Sequence, residues 1–236
     1  MKYEEIFRHR GESYDLAMKK YPNVRDLEFN KLFYRLPLKE NERILDIPAL
    51  GGYLKKYCLD SNEIVFLDFS KSINGVSVVS PYEKWPIEKV DRIVCLASVH
   101  HIENLDLFLI NMKKHLKSSG VIHLADVSID SPISKFLDEF VGSKTSTGGH
   151  KGKYYNWNEL IFPNDLKIVS IEQRSCPWIF NSEQNMTEYC RLLFDLRDVT
   201  DEEILEALKS YISFGKKHKN NIWLNWSLTY IDLCLN

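Results

Sequence analysis

Short apolar runs separated by longer mixed segments set the rhythm of the middle of the chain. RILDI (43–47), EIVFLDF (63–69), VSVV (76–79), RIVCLA (92–97) and VIHLADV (121–127) are each bounded by charged or turn residues, as in strands buried on both faces. Between several of them the pattern becomes helical, over 51–59 and over 104–117, the latter closed by Ser118-Ser119-Gly120. Upstream, residues 3–20 and 23–36 read as helices. In the second, Val24, Leu27, Leu32 and Leu36 recur at roughly helical spacing behind Pro22. Strands alternating with helices indicate a parallel sheet with right-handed crossovers.

After residue 127 the rhythm changes. A helix over 131–141 leads into GSKTSTGGHKGKYYNW (142–157), a polar, glycine-rich stretch. A strand near 166–174, helices near 183–196 and 201–217 and a last strand over 223–234 follow, so two well-separated late strands form an edge with helices inserted in it. No repeat, low-complexity segment or Pro/Gly-rich linker divides the chain. The expectation is one α/β domain over 1–236, its sheet mostly parallel, with helices on both faces and a helical cap.

Composition narrows the class. The 236 residues are 44% hydrophobic and 27% charged, as in soluble globular proteins. A net charge of −2 favours neither nucleic acid nor an anionic membrane, so neither is expected as a partner. The basic cluster Lys216-Lys217-His218-Lys219 lacks interleaved aromatics and reads as a solvated helix end. Met1 precedes Lys, Tyr, Glu and Glu, unlike a signal peptide, and no apolar run approaches the ~20 residues of a membrane span. Cys58, Cys95, Cys176, Cys190 and Cys234 are scattered and never spaced as CxxC, which suits reduced thiols in a cytoplasmic protein.

Candidate chemistry begins at two strand ends. Open parallel sheets bind ligands beyond their carboxyl edge. Asp46 ends the first strand and Asp68 the second, a spacing at which an acidic side chain meets ribose hydroxyls. Two helix caps in an ordinary α/β protein are the plainer alternative. The loop between, LDIPALGG (45–52), has Pro48 and Leu50 where a dinucleotide loop has its first glycines, and there is no GKS or GKT. The loop therefore suits a nucleoside ligand without phosphate, and it argues against a nicotinamide-dependent oxidoreductase.

RILDIPALGGYLKKYC followed by EIVFLDFS resembles the first two motifs of class I S-adenosylmethionine-dependent methyltransferases. WPIEKVDRIVCLASVHHI resembles the family's fourth-strand region, and LFLINMKKHLKSSGVIHLADV its next helix, turn and fifth strand. The resemblance spans about residues 43–127, with Pro48 and Leu50 at glycine positions and Leu67 where glycine is common. It implies a Rossmann-like seven-stranded sheet whose last strand inserts antiparallel beside the fifth. Cap helices over 1–38, a cofactor-binding core over 39–127, a substrate-side cap and edge strand over 128–222 and a final strand over 223–236 follow from that frame. S-adenosylmethionine is the implied cofactor and S-adenosylhomocysteine the product. By resemblance Asp46 reaches the methionine amino group, with the backbone of Ala49, Gly51 and Gly52 facing the methionine portion. Asp68 accepts the ribose hydroxyls beside Phe69, Ser80 and Pro81 border the adenine, and Ala97 and Ser98 meet the methionine end. In related enzymes an N-terminal helix covers the cofactor, which gives Arg10 and Tyr14 the methionine carboxylate; a solvated helix face is the alternative.

Methyl transfer is an in-line displacement that needs alignment, and a base only when the nucleophile arrives protonated. His100 and His101 follow the fourth strand at the carboxyl edge, and on an extended segment only one of them can face the site. His150 lies in a glycine-rich stretch that reads as a lid. Structural histidines and a plain surface loop are the alternatives. His100, His101 and Asp126 do not form a spaced ligand set, so no metal is expected. Tyr154, Tyr155, Trp157, Trp178, Phe180, Tyr189 and Phe194 fall in the cap segments, most as cap core and some as pocket lining. Motifs for base amino-methylation or cytosine carbon methylation are absent from the sequence. The expectation is a methyltransferase for a small organic acceptor, with a homodimer left open. A catalytically silent regulatory protein of the same fold that binds S-adenosylmethionine or S-adenosylhomocysteine is the alternative.

Overall fold

The computed structural model describes residues 3–71, 76–217 and 220–236; part of the basic cluster, His218 and Lys219, lies outside them. Seven strands form the main sheet: β1 (Arg43–Asp46), β2 (Glu63–Asp68), β3 (Ser77–Val78), β4 (Val90–Leu96), β5 (Leu116–Asp126), β6 (Leu166–Ser175) and β10 (Ser227–Leu235). Their order is β3-β2-β1-β4-β5-β10-β6. β10 runs antiparallel to both β5 and β6, as the resemblance implied. Neighbouring residues of β1 point to opposite sides, Ile44 into one buried cluster with Val94 and Ala125, Leu45 into another with Ile93 and Leu124. Both faces are therefore covered, which is why these strands read as unbroken apolar runs.

Helices α1 (Tyr3–Lys20), α3 (Leu105–Lys114), α6 (Glu183–Phe194) and α7 (Asp201–Tyr211) are the long ones among the described residues. α1 buries Ile6, Phe7, Arg10, Ala17 and Met18, and side chains at Arg10 and Ser13 bond the last carbonyls of α6. Asn104 caps α3, Ser182 caps α6, and a Thr200–Glu203 capping box opens α7.

Several expected elements are shorter. The helix over 23–36 contracts to α2 (Asp26–Asn30). The reason lies in the sheet: the Tyr230 hydroxyl donates to the Glu28 carbonyl and Arg174 to the Lys31 carbonyl, drawing off acceptors a longer helix would use. The segment over 51–59 forms only a 3₁₀ turn, Tyr53–Tyr57. α3 stops at Lys114 and β5 begins at Leu116, so Ser118-Ser119-Gly120 is strand rather than helix stop; a side chain at Gly120 would crowd the Asp91 carbonyl at 3.0 Å. The helix over 131–141 divides into α4 (Pro132–Lys135), a π-helical turn (Phe136–Val141) and α5 (Gly142–Lys144). α7 ends at Tyr211, and β8 (Phe214–Lys216) follows. The last strand is broken at Asn225-Trp226 into β9 (Ile222–Leu224) and β10. β9 pairs antiparallel with β8 and with β7 (Trp178–Phe180), a small sheet in the cap that the periodicity did not reveal.

Candidate active site

The parallel register brings the carboxyl ends of β1, β2, β4 and β5 side by side. Asp46 pairs with Phe66 and Val94, and Leu96 with Ala125. Beyond that edge lies a cavity walled by the strand ends, α1, and the cap residues Trp178, Leu193, Phe194 and Trp226. Arg10, Tyr14, Asp46, Ala49, Ala97, Ser98, His100, His101 and His150 all line it, so nine of the expected site residues converge from four separate segments.

A second cleft opens between Tyr3, Phe69, Val79, Ser80, Pro81 and Tyr82. It collects Phe69, Ser80 and Pro81, the expected adenine side. His101 lines both hollows. Asp68 stands between them, at the end of β2, with Oδ1 accepting from the Ser70 N–H at 2.8 Å and Oδ2 from the Leu50 N–H at 2.8 Å and the Tyr3 hydroxyl at 3.2 Å. Burial raises the Asp68 pKa against these bonds. Burial, and then the neighbouring Asp68 charge, pushes the Asp46 carboxyl well above the usual carboxylate range. A cation entering beside Asp46 would relieve that cost.

The loop between the two carboxylates does its work through backbone. Leu50 sits at φ +45°, in the left-handed region that favours glycine, with its side chain packed in the core and its N–H aimed at Asp68. Gly52, at φ +71°, closes the turn by donating to the Ala49 carbonyl at 2.8 Å. Gly51 is exposed, and neither Gly51 nor Gly52 lines the cavity or the cleft. Ala49 and Leu50 occupy the positions expected of the glycines.

From α1, the Arg10 guanidinium donates through Nη2 to the Leu193 carbonyl at 2.9 Å, while its buried Nε has no partner. Burial lowers its pKa to about 10. Tyr14 bonds Arg25 rather than standing free, and Arg25 forms a fully buried pair with Glu28, which also accepts from the Trp178 indole at 2.8 Å.

His100 and His101 do not point opposite ways. Val99–His101 is a 3₁₀ turn, which rotates successive side chains by about 120° instead of 180°. Both rings line the cavity with centroids 4.0 Å apart. His100 Nδ1 lies 2.7 Å from Asp126 Oδ1, and Asp126 Oδ2 accepts the His100 backbone N–H at 2.9 Å. Asp126 is fully buried at the end of β5 and also accepts the Val127 N–H at 2.7 Å. This fixes the ring so that Nε2 is the free nitrogen. His101 Nδ1 is buried without a partner, and burial, then the neighbouring His100, lowers its pKa well below the usual imidazole range.

His150 is brought in by its loop, whose Lys153 N–H donates to the His100 carbonyl at 2.7 Å. At Gly142 a Cβ would lie 3.0 Å from the His150 carbonyl oxygen, so the helix end can approach the loop only with glycine there. His150 Nδ1 is 3.5 Å from Asp138 Oδ1, which also accepts from Gly152 and Tyr154. Burial lowers His150 to about 4. The nitrogens of His100, His101 and His150 all lie within 4.8 Å of one another, a grouping that the spacing in sequence gives no means of seeing.

Of the cap aromatics, Trp178 and Phe194 line the cavity, and Tyr154 stacks on His100 at 5.4 Å. Phe180 and Tyr189 are cap core, and Tyr155 and Trp157 pack on each other away from the cavity. Sequence reading did not single out Tyr3, Arg25, Glu28, Asp138 or the His100–Asp126 pairing. Two signals were present: Asp126 ends its strand as Asp46 does, and Arg25 and Glu28 are one helical turn apart.

No family model matches the chain. It is 25% identical over 149 residues to the ubiquinone biosynthesis O-methyltransferase of Pelagibacter ubique, covering 57% of this chain and 61% of that one. To the enzyme of the same name from Rickettsia conorii it is 27% identical over 134 residues, 46% of each chain. The matched region thus spans between about half and three fifths of these curated relatives. Among solved structures, coclaurine N-methyltransferase bound to N-methylheliamine and S-adenosylhomocysteine superposes with a TM-score of 0.56 at 13% identity, over 89% of this chain and 70% of that one. With the strand order and the carboxylates at the sheet edge, these likenesses show that the chain has the fold of class I S-adenosylmethionine-dependent methyltransferases.

Proposed function

We propose that the chain transfers a methyl group from S-adenosylmethionine to a hydroxyl of a small organic acceptor. The observation that carries this reading is the His100–Asp126 pair, presented to a largely apolar cavity at the strand edge where Asp46 lies. The cofactor fits the residues present. Arg10 has a buried, unpartnered Nε for a carboxylate, and Asp46 has a carboxyl raised in pKa by burial and by the neighbouring Asp68, a cost an ammonium group would relieve. In this reading Asp46, Ala49, Ala97, Ser98, Arg10 and Tyr14 hold the methionine portion, and Asp68, Phe69, Ser80 and Pro81 hold the adenosine. Bound there, the cofactor supplies a methyl group already activated by its sulfonium.

The chain's own task is then alignment and proton control. Trp178, Leu193 and Phe194 exclude water from the cavity and present apolar surface to the acceptor. Asp126 holds the proton of His100 on Nδ1, which leaves Nε2 to accept the acceptor's hydroxyl proton. His101 and His150 pack beside it as buried neutral rings, and Tyr154 stacks on it.

Titration calorimetry with S-adenosylhomocysteine and with NAD, joined to an acceptor screen for S-adenosylhomocysteine release, tests the proposal. Sulfur-ligand binding with turnover on hydroxylated aromatics is expected. Folded protein that binds neither sulfur ligand at sub-millimolar concentration would overturn it. One observation favours the silent-binder alternative: three donors already engage Asp68, the ribose partner. Binding of the sulfur ligand with no turnover across the screen would select that alternative.

A further inference from the structure

The histidine cluster goes beyond the needs of a single base. Three imidazoles are buried together, each with a nitrogen within 4.8 Å of the other two, and no hydrogen bond joins them among the described residues. His101 Nδ1 is buried without a hydrogen-bond partner, while His150 Nδ1 faces Asp138 Oδ1 at 3.5 Å and so turns its Nε2 to the cluster. An orphaned buried polar atom costs about 1–3 kcal/mol, and a native fold seldom leaves one without a use.

We propose that His100, His101 and His150 form a binding site for one divalent transition-metal ion of the zinc, cobalt or iron kind. Three neutral imidazoles with an open fourth position form a recurrent catalytic donor set for such ions, whereas magnesium and calcium prefer oxygen ligands. The outer contacts fit as well. Asp126 fixes His100 through Nδ1 and leaves Nε2 for the ion, and Asp138 stands 3.5 Å behind His150. These two carboxylates offset the nearby Arg10 guanidinium.

Metal–nitrogen bonds of about 2.0–2.1 Å set ligand nitrogens roughly 3.3 Å apart, so the rings close by at most about 1.5 Å on loading. His150 rides on the loop after α5. The open position faces the cavity, where an acceptor oxygen could bind the ion and lose its proton to solvent. This deepens the proposed methyl transfer and rests on it only for the acceptor; ion binding itself is independent. In the loaded protein the ion takes over the role of His100 Nε2 as the group that draws the hydroxyl proton away.

The test uses the full chain, stripped with chelator and titrated with Co²⁺ under reducing conditions, followed by visible absorption and by metal content after dialysis. One equivalent is expected, with a tetrahedral nitrogen-ligand spectrum that lacks the thiolate charge-transfer bands cysteine binding would give. His150→Ala and, separately, His101→Phe should abolish the stoichiometric signal, and Asp126→Asn should weaken it by about 10–100-fold. S-adenosylhomocysteine calorimetry on the same samples checks the fold and the methyl-transfer reading separately. Wild-type protein that binds the sulfur ligand but takes up no stoichiometric Co²⁺ overturns the metal site alone. Uptake that survives both histidine variants, or that shows thiolate bands, overturns it too. Metal uptake without sulfur-ligand binding leaves the site standing and overturns the methyl-transfer reading.

Discussion

The Tyr3 hydroxyl donates to Asp68 Oδ2 across 65 positions of sequence, so the start of α1 holds the carboxylate assigned to the ribose. Removing that donor frees an acceptor lone pair. Tyr3→Phe should therefore tighten S-adenosylhomocysteine binding by roughly twofold to twelvefold, the worth of one competing hydrogen bond of about 0.5–1.5 kcal/mol. Asp68→Ala should weaken it strongly. Calorimetry on both variants reads the two effects, and an Asp68→Ala variant with wild-type affinity refutes the ribose assignment.

Asp126 acts on the reaction through His100. Asp126→Asn exchanges a carboxylate that accepts three hydrogen bonds for an amide that can also donate, and the ring loses its fixed tautomer. Turnover should fall by roughly 10²–10⁴-fold, the usual worth of a positioned base, with S-adenosylhomocysteine affinity retained. Equal losses of kcat and cofactor affinity would instead mark Asp126 as purely structural.

Arg25 and Glu28 form a buried ion pair in the wall of the cavity, braced by Tyr14 and Trp178. Arg25→Met leaves Glu28 buried and unpaired and should cost about 3–5 kcal/mol of stability. The double variant Arg25→Met with Glu28→Leu should recover much of that loss. Urea midpoints measure both, and a double variant no more stable than the single one contradicts the account.

Acid should destabilise the protein from near neutrality downward. His123, buried in β5 against Asp232, has its pKa lowered chiefly by burial, so below about 6.5 the unfolded chain binds a proton there that the native one refuses. Burial raises Asp232, but the bonds and charges of His123, Ser170 and Arg174 together outweigh it and lower its pKa; its share of stability is present above its unfolded pKa and is lost as pH falls toward the folded value. Stability measured from pH 7.5 to 5.0 should fall, and His123→Gln should flatten the slope over that window. An unchanged slope in the variant counts against His123 as a source.

The sheet was legible because its strands are buried on both faces and therefore continuous in hydrophobicity. Asp46 and Asp68 were legible because strand ends mark the ligand edge. The glycines misled: Gly51 and Gly52 shape the turn, while Ala49 and Leu50 meet the cavity, because a left-handed backbone at Leu50 is held by tertiary contacts. The histidine pair misled for a related reason. Whether neighbouring residues diverge or converge depends on whether the segment is extended or turned, and apolar period does not report on a three-residue turn. His150, Asp138 and Arg25 reach the site through packing between segments distant in sequence, which no local pattern encodes.

Among the described residues, His101 is the one ring common to the cleft and the cavity proposed for adenosine and acceptor. Whatever fills one hollow therefore sets the back wall of the other. Cofactor and acceptor affinities are then expected to be linked by a single factor, equal in both directions. Enlarging or shrinking residue 101 should change how strongly product inhibition depends on acceptor concentration, even where each ligand alone binds as before.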